Sequence, residues 1–122
     1  MALEDYFLNN FETSNNPKDK RLCSRYYAND YYNTQNTISS VFNNAGFKLM
    51  HVDNNYHEML FESKKTQVIV TLSEMSMYEI KVDIKINTSY IFPMKRGIKM
   101  IEQLFAMLDK RLTLKFRGYK DE

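Results

Sequence analysis

The sequence predicts an α+β domain: a four-stranded antiparallel β-meander with helices packed on one face, in the order α-α-β-β-β-β-α. Three observations carry that prediction. Tyr78 to Ile86 alternates without a break, with Tyr78, Ile80, Val82, Ile84 and Ile86 on one side and Glu79, Lys81, Asp83 and Lys85 on the other. Successive strand side chains point to opposite faces, so this is a strand buried on one face only. Three shorter stretches upstream alternate in the same way between turn-forming residues. Downstream, Ile98, Ile101, Phe105, Leu108 and Leu112 recur at steps of three and four, with Leu104 widening the stripe, as an amphipathic helix requires.

Length and composition set the frame. A chain of 122 residues suits one domain with one core, with residues 1–20 as a loosely attached N-terminal helix and linker. Apolar content of 43% and charged content of 26% argue against wholesale disorder. No apolar run approaches the roughly 18 residues that cross a membrane. The start, Met1-Ala2-Leu3-Glu4-Asp5-Tyr6, is acidic where a signal peptide is basic. Cys23 is the single cysteine, which excludes an internal disulfide and fits a reducing, cytoplasmic setting. Abundant Asn, Lys, Ile, Tyr and Phe, all with AT-rich codons, point to an AT-rich bacterial, phage or mobile-element genome.

The elements follow in order. Leu3, Phe7, Leu8 and Phe11 stand at helical spacing and predict a short first helix. A polar linker, Thr13 to Lys20, comes next, and Arg21 to Tyr32 shows no clear period. Tyr31, Ile38, Val41 and Phe42 predict a helix over about Asp30–Ala45, with Gly46 as its left-handed cap and apolar Phe47 behind it. The meander is then Phe47–Val52, Tyr56–Glu62, Thr66–Leu72 and Met77–Asn87. A three-residue loop, Asp53-Asn54-Asn55, pairs Phe47 with Phe61, Leu49 with Met59 and His51 with His57. A Lys64-Lys65 turn sets Phe61 beside Val68, Met59 beside Val70 and His57 beside Leu72. The last helix spans about Met94–Leu112, with Pro93 at its entrance, where a missing N–H is harmless.

No enzymatic signature accompanies this fold. The glycines Gly46, Gly97 and Gly118 are scattered, so neither a dinucleotide fingerprint nor a phosphate loop can be written. His51 and His57, as cross-strand neighbours, could share an ion, but only Asp53 stands near as a third ligand; no metal and no cofactor is expected. Cys23 lies between Arg21 and Arg25, which favour a thiolate, yet no base is placed beside it. The chain reads as a non-enzyme.

Two surfaces invite partners instead. On the sheet face away from the helices, Met50, Val52, Tyr56, Leu60 and Ile69 form an apolar patch, the kind of surface that meets another protein or a second copy of the chain. The first helix could equally fold over it. Met94, Met100 and Met107, with Met75 and Met77 in the loop before the last strand, offer adaptable contacts or fill core gaps. From Pro93 onward eight Lys/Arg oppose four acids, whereas the whole chain carries +2. Lys110, Arg111, Lys115, Arg117 and Lys120, with the Tyr26-Tyr27 and Tyr31-Tyr32 pairs upstream, suit phosphate contact and base stacking. The preferred expectation is a cytoplasmic protein–protein interaction module, an adaptor, regulator or inhibitor. The alternative is a nucleic-acid-binding accessory protein.

Overall fold

The computed structural model describes residues 10–15, 17, 20–64, 66–88 and 94–117. Over these the chain runs β1 (Asn10–Glu12), a 3₁₀ turn (Lys20–Leu22), β2 (Arg25–Tyr27) and α1 (Tyr31–Asn44). It continues through β3 (Lys48–Asp53), β4 (Glu58–Ser63), β5 (Thr66–Ser76) and β6 (Glu79–Thr88) to α2 (Met94–Asp109) and β7 (Leu114–Arg117). All named strands join one antiparallel sheet in the order β3-β4-β5-β6-β2-β7, with β1 also on β6. The expected α+β class and antiparallel meander are present. Among the described residues the sheet has seven strands where four were expected, with two α-helices, and the order is β-β-α-β-β-β-β-α-β in place of α-α-β-β-β-β-α.

β6 shows why the extra strands exist. A ten-residue alternating strand at the end of a meander would leave one long edge of unpaired N–H and C=O groups, a template for aggregation. The chain covers that edge twice. β1 pairs with Lys85–Asn87 and β2 with Ile80–Val82. Between them Asp83 fills the junction, accepting hydrogen bonds from the Thr13 hydroxyl at 2.7 Å and from the Ser24 hydroxyl. Thr13 Oγ1 in turn accepts from the Ile84 amide at 2.9 Å.

The core lies between one sheet face and both helices. Met59, Phe61, Val68, Val70, Leu72, Ile80, Val82, Ile84 and Ile86 are buried there against Ile38, Val41 and Phe42 of α1 and Ile98, Ile101, Leu104, Phe105 and Leu108 of α2. α1 begins at Asp30, whose carboxylate accepts from the Asn33 amide at 2.7 Å, satisfying one of the free N–H groups of the first turn. It ends as the glycine predicted. Gly46 sits at φ +96, its amide donates to Asn43 O at 3.1 Å, and the Phe47 amide donates to Phe42 O at 2.9 Å. Those two bonds with the Phe42–Phe47 ring contact make a Schellman cap.

β2 contributes a charged side chain to this core. Arg25 is buried, its guanidinium 4.6 Å from the Phe105 ring centroid and ion-paired to Asp109 at the end of α2. The Tyr27 hydroxyl donates to the other Asp109 oxygen at 2.7 Å. One carboxylate therefore ties β2 to α2, and burial followed by the Asp109 bond and charge pushes the Tyr27 hydroxyl pKa far above that of a free phenol.

Several expectations are corrected. Phe11, expected in a first helix, lies in β1 and packs into the core; Leu3, Phe7, Leu8 and Pro93 lie outside the described residues. The β3–β4 register differs. Leu49 pairs with Phe61, His51 with Leu60 and Val52 with Met59, with a bulge at Met50 and a four-residue loop, 54–57. The bulge inserts one residue, so every position after it changes face. The β4–β5 pairings Phe61–Val68 and Met59–Val70 stand as expected. β5 runs on to Ser76, which leaves Met77 and Tyr78 as a hairpin tip. β7 occupies residues read as a basic tail.

Candidate functional site

The bulge breaks up the apolar patch expected on the open sheet face. Leu60 and Ile69 are cross-strand partners there, both half-buried. Val52 opposes Met59 and so turns to the helix side, Tyr56 sits in the 54–57 loop, and Met50 is the bulge residue on the edge strand. His51 and His57 are not neighbours, since His51 pairs with Leu60 and His57 lies in the loop. Cys23 bridges Ser14 and is half-buried, while Arg25 turns away into the core.

The aromatic and basic residues also separate. Tyr27 is fully buried and Tyr26 nearly so, its ring stacked on Phe116 at 4.3 Å. Neither ring is open to a base. Lys110 and Arg111 are exposed just after α2, and Lys115 and Arg117 are exposed on β7, where Lys115 binds Glu79 at 2.6 Å. Lys120 lies outside the described residues.

What the fold brings together is a different set. At one end of the sheet, the first turn of α1, the 54–57 loop and the β5–β6 hairpin enclose a cleft of about 460 Å³. Tyr31, Tyr32, His57, Met77 and Tyr78 supply its apolar walls, and Asp30 and Glu74 its carboxylates; among the described residues no Lys or Arg lines it. Tyr32, Met77 and Tyr78 are 71%, 71% and 65% exposed. Large apolar side chains so open are uncommon in a group.

The walls are held by local chemistry. The Asp53 carboxylate accepts from the Asn55 and Tyr56 amides at 2.9 and 3.1 Å, an Asx-type turn that shapes the loop. The loop closes on His57, whose carbonyl accepts from the Leu72 amide at 2.9 Å and whose φ of 56 lies in the left-handed region. Glycine would adopt that backbone with less strain. Histidine there places its ring edge-on to Tyr31, centroids 5.4 Å apart, with the Tyr31 hydroxyl 3.0 Å from Nδ1. Tyr31 meets Tyr32 edge-on at the same separation. Burial, then the neighbouring Tyr32 and Glu74, raise the Tyr31 hydroxyl pKa above its ordinary value. Asp30 is occupied as the α1 cap, its second oxygen accepting from Asn33 Nδ2 at 2.8 Å. Glu74 is exposed on β5.

Sequence reasoning marked Tyr31, Tyr32, Met77 and His57 singly, for other roles, and passed over Glu74 and Tyr78 as site residues. Their convergence depends on the 54–57 loop and the length of β5, which periodicity does not report. Among the described residues no group of three or more His, Cys, Asp or Glu is placed to hold a metal, and no helix is long and apolar enough to cross a membrane. No family model, curated protein or solved structure matches the chain.

Proposed function

We propose that the protein is a non-enzymatic protein–protein interaction module that docks its partner at the cleft between α1 and the β5–β6 hairpin. One observation carries this reading: Tyr32, Met77 and Tyr78 stand open to solvent together, on elements anchored by the core. Exposed tyrosines with few rotatable bonds are efficient anchors for protein partners. Methionine adds a surface that adapts to shape. The cleft is acidic, which suits a protein partner better than a nucleic acid.

The test is affinity capture from the lysate of the native host, with and without nuclease, using the intact chain and two variants. Tyr78→Asp alters the cleft and Leu60→Asp the open sheet face; unchanged unfolding midpoints establish that both fold. A stoichiometric protein that survives nuclease, is lost with Tyr78→Asp and is kept with Leu60→Asp supports docking at the cleft. Loss with Leu60→Asp alone moves the interface to the β3–β5 face. Captured nucleic acid whose binding weakens steeply with salt, as counterion release requires, overturns the reading in favour of the exposed Lys110, Arg111, Lys115 and Arg117.

A further inference from the structure

The chemistry of the cleft says what it would take from such a partner. Its walls are three tyrosine rings, one imidazole and a methionine, and its charged lining among the described residues is Asp30 and Glu74, with no Lys or Arg. A cation is attracted to the face of an aromatic ring by the ring quadrupole, and here two carboxylates add to that field. An anion meets the opposite. Between cations, the shape discriminates. Arginine is planar, stacks on aromatic faces and is less strongly hydrated than an ammonium, so it loses less on entering a half-open apolar cleft. It can also pair with a carboxylate through two parallel N–H···O bonds. Asp30 is committed to the Asn33 amide and side chain, which leaves Glu74 as the natural carboxylate for that pairing.

We propose that the cleft receives an arginine side chain of the partner protein, its guanidinium stacked on the Tyr32 and Tyr78 rings and paired with Glu74. This rests on the interaction-module reading of the cleft and adds the chemistry of the docked group. The specificity is set by shape and charge together: neutral planar groups lack the charge, and lysine lacks the plane.

The full chain is titrated with N-acetyl-arginine amide, N-acetyl-lysine amide and N-acetyl-citrulline amide, followed by backbone amide shifts. Citrulline keeps the planar end group and removes the charge. For a single docked side chain, dissociation constants of about 1–10 mM are expected, with shifts confined to the first turn of α1, the 54–57 loop and residues 74–80. Arginine should bind about five- to tenfold tighter than citrulline, the effect of one exposed charge pair with one cation–π contact. Glu74→Gln, at an exposed position, should cut that preference to about two- to fivefold, the cation–π share, while the remaining spectrum stays unchanged, and Tyr78→Ala should weaken arginine about two- to fivefold.

Equal binding of arginine and citrulline, or an arginine preference undiminished by Glu74→Gln, overturns the inference. That failure is separable from failure of the module reading. If capture still maps to the cleft while arginine shows no preference, the docking surface stands and the arginine does not. If the arginine preference holds in titration while cleft variants keep every captured protein, the cation site stands and the docking surface does not.

Discussion

Replacing Gly97 by alanine is expected to destabilise the protein, against the usual rule for helices. Gly97 lies in α2, where alanine is ordinarily favoured over glycine by up to about 1 kcal/mol. Here an added Cβ would stand 3.1 Å from Phe11 Cγ and closer still to Cδ2 and Cε2 of the same ring. Ordinary contact begins near 3.4 Å, so the ring must move. Phe11 belongs to the three-residue β1, and its ring is the part of that strand inserted into the core. Forcing an extra carbon into such a site costs about 1–3 kcal/mol. Set against the helical gain, Gly97→Ala should lose about 1–2 kcal/mol. Phe11→Ala alone should lose roughly 3 kcal/mol, the low end for a buried phenylalanine because β1 is short. With the ring gone the methyl has room. In the Phe11→Ala background Gly97→Ala should therefore stabilise by about 0.5–1 kcal/mol, a coupling of about 2 kcal/mol between the two positions. Urea unfolding followed by far-UV circular dichroism on the four proteins measures each corner of the cycle. Stabilisation by Gly97→Ala in the parent chain, or additive effects, would refute the packing of β1 on α2.

Asp109→Ala leaves Arg25 buried without its carboxylate and the Tyr27 hydroxyl without its acceptor, and should cost about 3–5 kcal/mol in urea unfolding; replacing Arg25, Asp109 and Tyr27 together by methionine, leucine and phenylalanine should recover most of it. Because the folded state holds the Tyr27 pKa above the value of about 10 in the unfolded chain, its contribution is fully present below pH 10 and is lost as pH rises beyond it. Urea midpoints measured from pH 8 to 11 should fall more steeply for the parent chain than for Tyr27→Phe above pH 10; parallel curves would contradict the buried hydroxyl. His57→Gly relieves a left-handed backbone worth about 1 kcal/mol and removes the imidazole from Tyr31. Thermal unfolding should hold or rise while partner capture at the cleft falls, separating the function of the ring from any role in stability.

Much of the architecture was legible without coordinates wherever one physical pattern ran long enough to be read. The alternation from Ile80 to Ile86, the α2 stripe, the α1 cap at Gly46 and the β4–β5 register all follow from side-chain period or turn chemistry. They agree with the structure because burial on one face tolerates only one reading. β1, β2 and β7, of three, three and four residues, show too little of a period to be seen. The edge of β6 asks for β1 and β2, whereas β7 is paired to β2. The bulge at Met50 left no mark in composition either, and it alone moved Val52 off the open face.

The candidate site divides in the same way. The sequence by itself determined that no phosphate loop or paired acid–base motif could be written, and left open whether its tyrosines and methionines pack in the core or meet a partner. Only the tertiary structure decided which of them are spent on packing and which remain outside. Tyr27 closes a buried network and Tyr26 stacks on Phe116, whereas Tyr32, Met77 and Tyr78 remain open around Glu74. The reason is that a local pattern states which face of an element is apolar, while a cleft is made where three elements end. Where they end depends on loop length, a bulge and strand overhang, which are settled by packing across the whole chain.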